Sequence, residues 1–450
     1  MPELRYRASL IESVAVIVGI VIGAGIFRTP PIVASMSGSE LAFLGIWFVG
    51  GAVSLIGALC YAELTTTYPH EGGDYIYYSR AFGDIPSFLF VWARMTVIQT
   101  GSIAMFAFII GDYATSIAPL GSASVFIYAV ISIVLLTILN GTGIHRSYLT
   151  QKIFLGLVLA SIALVFFAGV SHPRAESVQA AVSLPPSAQF GRAIIFVLLT
   201  YGGWTEAAFI SRELCHSPKT MVRALIVSIA VITTLYMATN FAYLTGLGLD
   251  GISSTQAVGA DIIRNAFGNA SAALFSVVII SLALSSMNGT MITGARSNFA
   301  LGRDYKLFGF LGRLTRTNGN PFNAYLLQGA IAIGLVAIGA ASRSGFETMV
   351  DYTAPVFWFF IILTVSSLFV LRRRDRGQKR PFSVPWYPFL PILFLLSSVY
   401  MLHSSVTYSG IGSFVGLAVL GAGIIVFFLT KKNGPVEIAC ADGAEQTTGE

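Results

Sequence analysis

Two clusters of glycine lie inside long apolar segments of this sequence, and both could take part in binding a charged solute. The first is Gly23-Ala24-Gly25 and the second is Gly202-Gly203. Glycine costs about 1 kcal/mol relative to alanine inside a helix, so each cluster makes local unwinding inexpensive. Unwinding frees N–H groups that can hold a carboxylate and carbonyl groups that can hold an ammonium. The two clusters therefore predict a site for a zwitterionic solute.

Close helix packing is the alternative interpretation of each cluster. The spacing Gly19-x-x-x-Gly23 is itself a small-residue contact motif between membrane spans. Either cluster alone leaves both interpretations open. The pair favours binding, because the clusters fall in the first and sixth apolar segments, which correspond in a five-plus-five inverted repeat. Paired interruptions of this kind indicate the binding site of a transporter.

The apolar segments that carry these glycines are predicted to be membrane helices. Hydrophobic residues make up 55% of the 450 residues and charged residues only 11%, against roughly 25% charged in soluble domains. About 20 apolar residues cross a bilayer as a helix, which satisfies every backbone hydrogen bond within lipid. The sequence predicts twelve such helices, at residues 10–36, 41–68, 84–112, 123–141, 149–170, 190–211, 221–246, 271–300, 322–341, 347–371, 385–404 and 409–430.

The loop charges predict how these helices cross the membrane. Most of the 27 Lys and Arg residues fall in alternate loops, which places both termini in the cytoplasm. The net charge of +6 is thus an orientation signal and not the mark of a nucleic-acid partner. The predicted units are a cytoplasmic N-terminus (1–9), a first repeat (10–170), a second repeat (190–371), helices 11 and 12 (385–430) and a disordered cytoplasmic tail (431–450).

Several further motifs occur in an order that is typical of one superfamily. Beside GIVIGAGIF and TYGGW, they are YAELTTTYPHEGGDYIYYSRAFG, SSMNGTMITGARSNFALGRD and RPFSVPWYPFLP. The chain resembles the amino acid–polyamine–organocation superfamily, specifically the L-type amino acid transporters and their bacterial relatives. The resemblance implies an all-α, LeuT-like membrane fold with helices 1 and 6 broken. It also implies a secondary carrier of amino acids, a permease or exchanger, working by alternating access in the bacterial plasma membrane.

The resemblance further implies which residues hold and cover the substrate. The substrate carboxylate would meet amides of the first break, and its ammonium would meet freed carbonyls of both breaks. The implied substrate-binding residues are Val21, Gly23, Ala24, Gly25, Ile26, Leu199, Thr200 and Gly202. Many relatives carry an aromatic gate just before TYGGW, where this chain has Leu199. Tyr201 and Trp204 are therefore the expected substitutes for that gate.

The ion that would drive transport is left open by the sequence. Many sodium-independent relatives carry a lysine in span five, and its ammonium takes the place of a sodium ion; the position is Val158 here. Ser285 and Ser286 lie in span eight, where their hydroxyls could ligate sodium beside freed carbonyls. The alternatives are that coupling is lost, or that both serines only bond back to the preceding turn. No cofactor is expected beyond such a sodium ion or a proton.

Charged residues within or beside the spans form a second set of candidates. Glu206 could be a proton-linked carboxylate or the partner of Arg94, because charges inside spans usually face a cavity or a partner. Arg28 is expected to lie in a vestibule or to snorkel to water, with closure of an outer gate as an alternative. Glu63 is expected to be structural. The basic run at 372–380 is interpreted as an orientation signal, with a lipid-binding patch as the alternative.

Other classes of protein fit the sequence less well. The sequence lacks HExxH and GxSxG motifs and a histidine–carboxylate cluster within the spans, so an enzyme is not expected. A polyamine or cationic amino acid exchanger and a non-transporting amino acid sensor remain alternatives. Some relatives pair with a heavy chain through a cysteine in the loop after span three. Residues 112–123 contain no cysteine here, so no disulfide-linked heavy chain is expected. The predicted partners are an amino acid and membrane lipids, and the predicted state is a monomer or weak homodimer.

Overall fold

The computed structural model describes residues 10–69, 72–141, 148–174, 186–205, 218–315, 319–342, 344–407 and 411–430. Predictions that fall on other residues, including Glu206, lie outside the described residues. The described helices are α1 (Leu10–Val21), α2 (Thr29–Ser37), α3 (Glu40–Thr67), α4 (Asp74–Phe82), α5 (Asp84–Ala93), α6 (Gln99–Ile117), α7 (Ser124–Gly141), α8 (Tyr148–Ser171), α9 (Ser187–Thr200), α10 (Pro218–Ser253), α11 (Val258–Phe267), α12 (Asn269–Asp304), α13 (Phe322–Ala340), α14 (Gly345–Arg374), α15 (Phe389–Thr407) and α16 (Ile411–Leu429).

The predicted all-α membrane fold is confirmed. Ten helical segments in the described part of the chain are long and apolar enough to cross a membrane, counting α5 and α6 as one. The apolar helices α1 and α9 are shorter, with 12 and 14 residues. These two helices end at the predicted glycine clusters. The total of twelve spans, the inverted repeat and the unit boundaries remain predictions.

The first apolar segment changes direction at its glycines. Helix α1 ends at Val21, and Gly23 is extended, with φ −104° and ψ −165°. A 3-10 turn over Ala24–Phe27 follows, and α2 then begins at Thr29 with two prolines in its first turn. Proline starts a helix well because its missing N–H would have no partner there. The chain therefore leaves the helical path between two helices that are each locally well specified.

Proline also explains where one predicted boundary moved. The apolar pattern placed the eleventh span at 385–404, whereas α15 runs from Phe389 to Thr407. Pro385 and Pro388 lie in the preceding stretch. Proline disfavours helical geometry in the residue before it, so the helix begins only after the second proline.

The two short helices lie against the longer helices of the bundle. Helix α1 packs against α10, α2 packs against α9, and α3 packs against α9 and α10. Helix α12 packs against α6 and also contacts the 3-10 turn after α1. The glycine clusters are consequently held at the middle of the bundle, where their backbone is covered by neighbouring helices.

Candidate functional site

The chain just after α9 lies against the end of α1. A methyl group on Gly203 would lie 2.8 Å from the carbonyl oxygen of Ile20 and 2.9 Å from Cα of Val21. Real Cβ atoms almost never approach that closely. Only glycine therefore permits this backbone approach. The glycine cluster that the binding interpretation singles out is thus also one that close packing requires.

A threonine joins the same two segments on the other side of the break. Thr200, the last residue of α9, donates from Oγ1 to Oγ1 of Thr29 over 2.8 Å. The methyl group of Thr200 lies 3.4 Å from where a Cβ on Gly25 would be. Thr200 and Gly25, both predicted site residues, are thus brought together.

The last carbonyl groups of α1 and α9, those of Val21 and Thr200, share one hydroxyl, and the Val21 carbonyl also accepts from the Gly23 N–H over 3.0 Å. The Tyr236 hydroxyl lies 3.1 Å from the carbonyl oxygen of Thr200 and 3.4 Å from that of Val21, and it donates to this pair. Tyr236 belongs to α10 and is fully buried. The sequence analysis missed this residue, since one tyrosine in an apolar span gives no distinguishing signal. The one feature that could have pointed to such a residue is that carbonyl groups at two interrupted helices need a hydrogen-bond donor.

One predicted span-eight serine lies beside the first break. A methyl group on Gly23 would be 3.1 Å from Oγ of Ser286 and 3.9 Å from the ring of Phe106. Ser285 and Ser286 are both half-buried on α12. Phe106, on α6, was not singled out from the sequence. The first break therefore faces a hydroxyl and an aromatic ring from two neighbouring helices.

The span-five position carries no charge. Val158 on α8 is 4% exposed and belongs to the hydrophobic core. Helix α8 contacts α1. A methyl group added to Gly19 of α1 would lie 3.6 Å from Leu155 of α8. Among the described side chains of α8, it is the aliphatic Leu155 that meets α1 at Gly19.

The two predicted gate residues, Tyr201 and Trp204, contact other neighbours than Ser286. The Tyr201 hydroxyl donates to the carbonyl of Trp47 on α3 over 3.2 Å, and its ring lies 4.9 Å from that of Tyr236. Trp204 makes an edge contact with Tyr61, with centroids 5.2 Å apart. Trp204 also lines an apolar cavity, together with Val53, Leu198, Gly202, Phe357, Trp358 and Phe394. Both residues are buried, and their gating role stays a prediction.

Arg28 is buried rather than exposed to water. It is 3% exposed, and its Nε donates to Oδ2 of Asp112 on α6 over 2.7 Å. Its Nη2 donates to Oε1 of Gln256, and its guanidinium lies 5.2 Å from the ring centroid of Phe346. The expectation of a vestibule or snorkelling side chain is therefore wrong, because partners on other elements hold the charge inside the protein.

The remaining charged candidates are Arg94, Glu206 and Glu63. Arg94 lies in a π-helical turn, Arg94–Ile98, with its guanidinium 5.7 Å from the ring centroid of Phe90. The proposed pair of Arg94 with Glu206 cannot be placed, since Glu206 lies outside the described residues. Among the described residues, no group of three or more His, Cys, Asp or Glu side chains could hold a metal ion. Glu63 is 2% exposed and lies beside Arg372 in an ion pair, which agrees with a structural role.

Comparisons with known proteins identify the family of the chain. Residues 9–430 match the family described as "Amino acid permease". The chain is 28% identical to the cystine/glutamate transporter of Pongo abelii, over 96% of this chain and 87% of that protein. It is 26% identical to the serine/threonine exchanger SteT of Bacillus subtilis, over 95% and 98%. It is 29% identical to the human large neutral amino acids transporter small subunit 2, over 95% and 80%.

Proposed function

The chain belongs to the amino acid permease family, and from this premise we propose that it moves amino acids across the plasma membrane by alternating access. The protein is a multi-pass membrane protein, and its relatives are transporters and not enzymes. The single observation that supports the proposed mechanism is the meeting of the ends of α1 and α9, whose last carbonyl groups, those of Val21 and Thr200, both accept from the Tyr236 hydroxyl. A solute bound there would contact both segments and would sense any change in their relative position.

The substrate is proposed to lie with its carboxylate toward the first break. The amides of Gly23, Ala24 and Gly25 follow the end of α1, with Ser286 beside Gly23 and Thr200 beside Gly25. The Gly23 N–H donates to the Val21 carbonyl over 3.0 Å, so a carboxylate would compete with that bond there. The ammonium would meet carbonyl groups of the Val21 and Leu199–Gly202 regions. Opposite charges of the zwitterion would then be held by N–H groups and by carbonyl groups without any charged side chain.

Binding can be tested on the purified protein with the twenty amino acids, one at a time. A ligand that binds only the folded state stabilises it by about 2.7 kcal/mol at a concentration of 100 Kd. We expect a rise in the thermal unfolding temperature with a subset of neutral amino acids. The variant Gly334→Ala, in which the new methyl group meets open space, should show the same rise as the wild-type protein. If no amino acid stabilises the wild-type protein, the proposed function is wrong.

Exchange is the mode of transport that we propose to test first. One relative is named an exchanger of serine and threonine. In proteoliposomes, an exchanger takes up labelled amino acid much faster when unlabelled amino acid is present inside. Equal uptake into empty and preloaded vesicles would instead indicate uniport or ion-driven uptake.

Sodium coupling is proposed to depend on Ser286, with Ser285 as a second ligand. Ser286 Oγ lies beside the first break, and the aliphatic Val158 provides no ammonium to substitute for a cation. Uptake should then rise with an inward sodium gradient in the wild-type protein and lose that dependence in Ser286→Ala. Uptake indifferent to sodium would exclude this coupling. A proton dependence lost in Glu206→Gln would assign it to Glu206.

The alternatives make different predictions in the same assays. A polyamine or cationic amino acid exchanger would be stabilised by dications such as putrescine or by lysine and arginine. A sensor would be stabilised by an amino acid yet would show no uptake into vesicles. The described carbonyl groups suit one ammonium, so we favour a neutral zwitterion over a dication.

A further inference from the structure

Arg372, at the end of α14, and Arg380, in the connection from α14 to α15, are both directed inward. Arg372 donates through Nε to Oε1 of Glu63 over 2.6 Å and through Nη2 to Oε2. Arg380 Nε lies 3.8 Å from the same carboxylate. The backbone N–H of Val384 donates to Glu63 Oε2 over 2.7 Å. One buried carboxylate on α3 therefore lies beside two cations of the basic run, offsets one of their two positive charges, and holds the end of the connection through the Val384 N–H.

A second set of contacts holds the start of the connection. The Tyr68 hydroxyl donates to Oδ2 of Asp375 over 2.7 Å, and Arg380 donates to the carbonyl of Asp375 over 3.0 Å. The connection is thus fixed at both ends.

The other cations of the run face outward. Arg373, Arg374, Arg376 and Lys379 are exposed, whereas Arg372 and Arg380 are only partly so. Asp375 is the one acidic residue between 372 and 389, and it faces Tyr68. The outward surface is therefore strongly positive, with its nearest carboxylates already engaged.

Exposed aromatic side chains follow directly after these cations. Trp386 is 78% exposed and Phe389 61% exposed, at the start of α15. Helices α14 and α15 are both candidate membrane spans, so their connection lies at a membrane surface. Tryptophan is enriched at that depth, and clustered Lys and Arg beside a span attract anionic lipids. The patch combines both features in one short connection.

We propose that this surface, the Arg373–Lys379 patch with Trp386 and Phe389, binds the headgroups of anionic phospholipids in the bilayer that the protein spans. The positive side chains would contact phosphate groups, and the aromatic rings would lie among the upper acyl chains. The proposal assigns the basic run a second role beside orientation. It does not depend on which solute the protein carries.

The test uses the full-length protein in lipid nanodiscs and the fluorescence of Trp386. The bilayer is phosphatidylcholine with increasing fractions of phosphatidylglycerol brominated near the headgroup, which quenches nearby indoles. Trp386→Phe gives the signal of the other four tryptophans, which is subtracted. The triple variant Arg373→Gln/Arg376→Gln/Lys379→Gln removes three exposed charges. Arg374 is kept because its Nη1 donates to the carbonyl of Arg80.

A matched triple variant removes the same charge elsewhere. Lys219, Arg223 and Arg296 are exposed on α10 and α12, in parts of the sequence also predicted to be cytoplasmic. Each basic residue near an anionic surface contributes about fivefold to the partition constant. We expect at least a tenfold higher phosphatidylglycerol fraction for half-maximal quenching in the patch variant, and less than a twofold change in the control. All six sites are exposed, so unfolding temperatures should be unchanged.

Three outcomes would overturn the proposal. They are equal quenching by brominated phosphatidylcholine and phosphatidylglycerol, an equal shift in the two triple variants, and a lipid preference unchanged at 1 M salt. At that ionic strength the screening length is about 3 Å, so headgroup attraction should weaken strongly. Relief of quenching by millimolar inorganic phosphate would instead indicate a site for free phosphate, which also contradicts a lipid site. If the triple variant does not fold, single Arg376→Gln should show about a fivefold shift.

Discussion

Arg28 and Asp112 form a buried ion pair, with 2.7 Å between Nε and Oδ2, although 84 residues separate them in sequence. The pair joins the residue before α2 to α6. Gln256, between α10 and α11, and Phe346, at the start of α14, contact the same guanidinium. Four separate elements therefore meet on one side chain, at the end of the bundle that the loop charges predict to be extracellular.

The first prediction concerns the stability of this pair. Arg28→Leu should lower the free energy of unfolding by about 3–5 kcal/mol, because Asp112 is left buried without its cation. The double variant Arg28→Leu/Asp112→Leu should recover most of that loss, since apolar replacement of both partners is often neutral. Thermal unfolding in detergent measures both. A double variant no more stable than the single one would contradict the ion pair as the source of the loss and would assign it to the lost contacts with Gln256 and Phe346.

The second prediction concerns the close backbone approach at Gly203. In Gly203→Ala the new methyl group would lie 2.8 Å from the Ile20 carbonyl oxygen, so one of the two segments must shift. We expect uptake to fall at least tenfold and substrate stabilisation to disappear. Gly334→Ala meets open space inside α13 and should keep full uptake. Alanine there should also add up to about 1 kcal/mol of stability from helix propensity. Full activity of Gly203→Ala would contradict the described backbone contact.

The third prediction separates one hydroxyl on α10 from another. Tyr236→Phe leaves the carbonyls of Val21 and Thr200 without their shared donor, which costs about 1–3 kcal/mol. We expect uptake to fall about tenfold or more. Tyr243→Phe is the control, because the buried Tyr243 hydroxyl has no partner among the described residues. Its removal should leave uptake unchanged and stability unchanged or raised. Equal losses in both variants would mean that ring packing, not the shared hydroxyl, is what matters.

The fourth prediction tests whether Trp204 acts in packing or in gating. Its edge contacts with Tyr61 and Phe394 span 5.2 and 6.3 Å between centroids. Trp204→Ala should cost about 3–5 kcal/mol of stability, as for other buried aromatic residues. Trp204→Phe keeps an aromatic contact and should restore most of it. If uptake stays low in the stable Phe variant, a gating role is supported; if uptake returns with stability, Trp204 is a packing residue. Trp386→Ala, at an exposed position, should change stability by no more than about 0.5 kcal/mol.

The sequence alone determined the class of fold and the positions of both interruptions. A charged fraction of 11% requires lipid as solvent for any large structure, whatever its topology. Glycine acts on its own backbone, so Gly23-Ala24-Gly25 was sufficient to predict where helical geometry ends in the first segment. Boundaries were less certain where apolar residues continue through a proline-rich turn, as before Phe389.

Only the tertiary structure decided what lies opposite each interruption. Many tyrosines and serines occur in these spans, and any of them could have met the freed carbonyls. Tyr236 does so across 215 residues from Val21, and Asp112 similarly meets Arg28. Such pairs depend on how rigid helices pack against one another, and that packing is set by the shape of whole helix surfaces. The local sequence near Gly23 shows that its backbone needs partners, whereas the packing of α10 and α12 decides which side chains supply them.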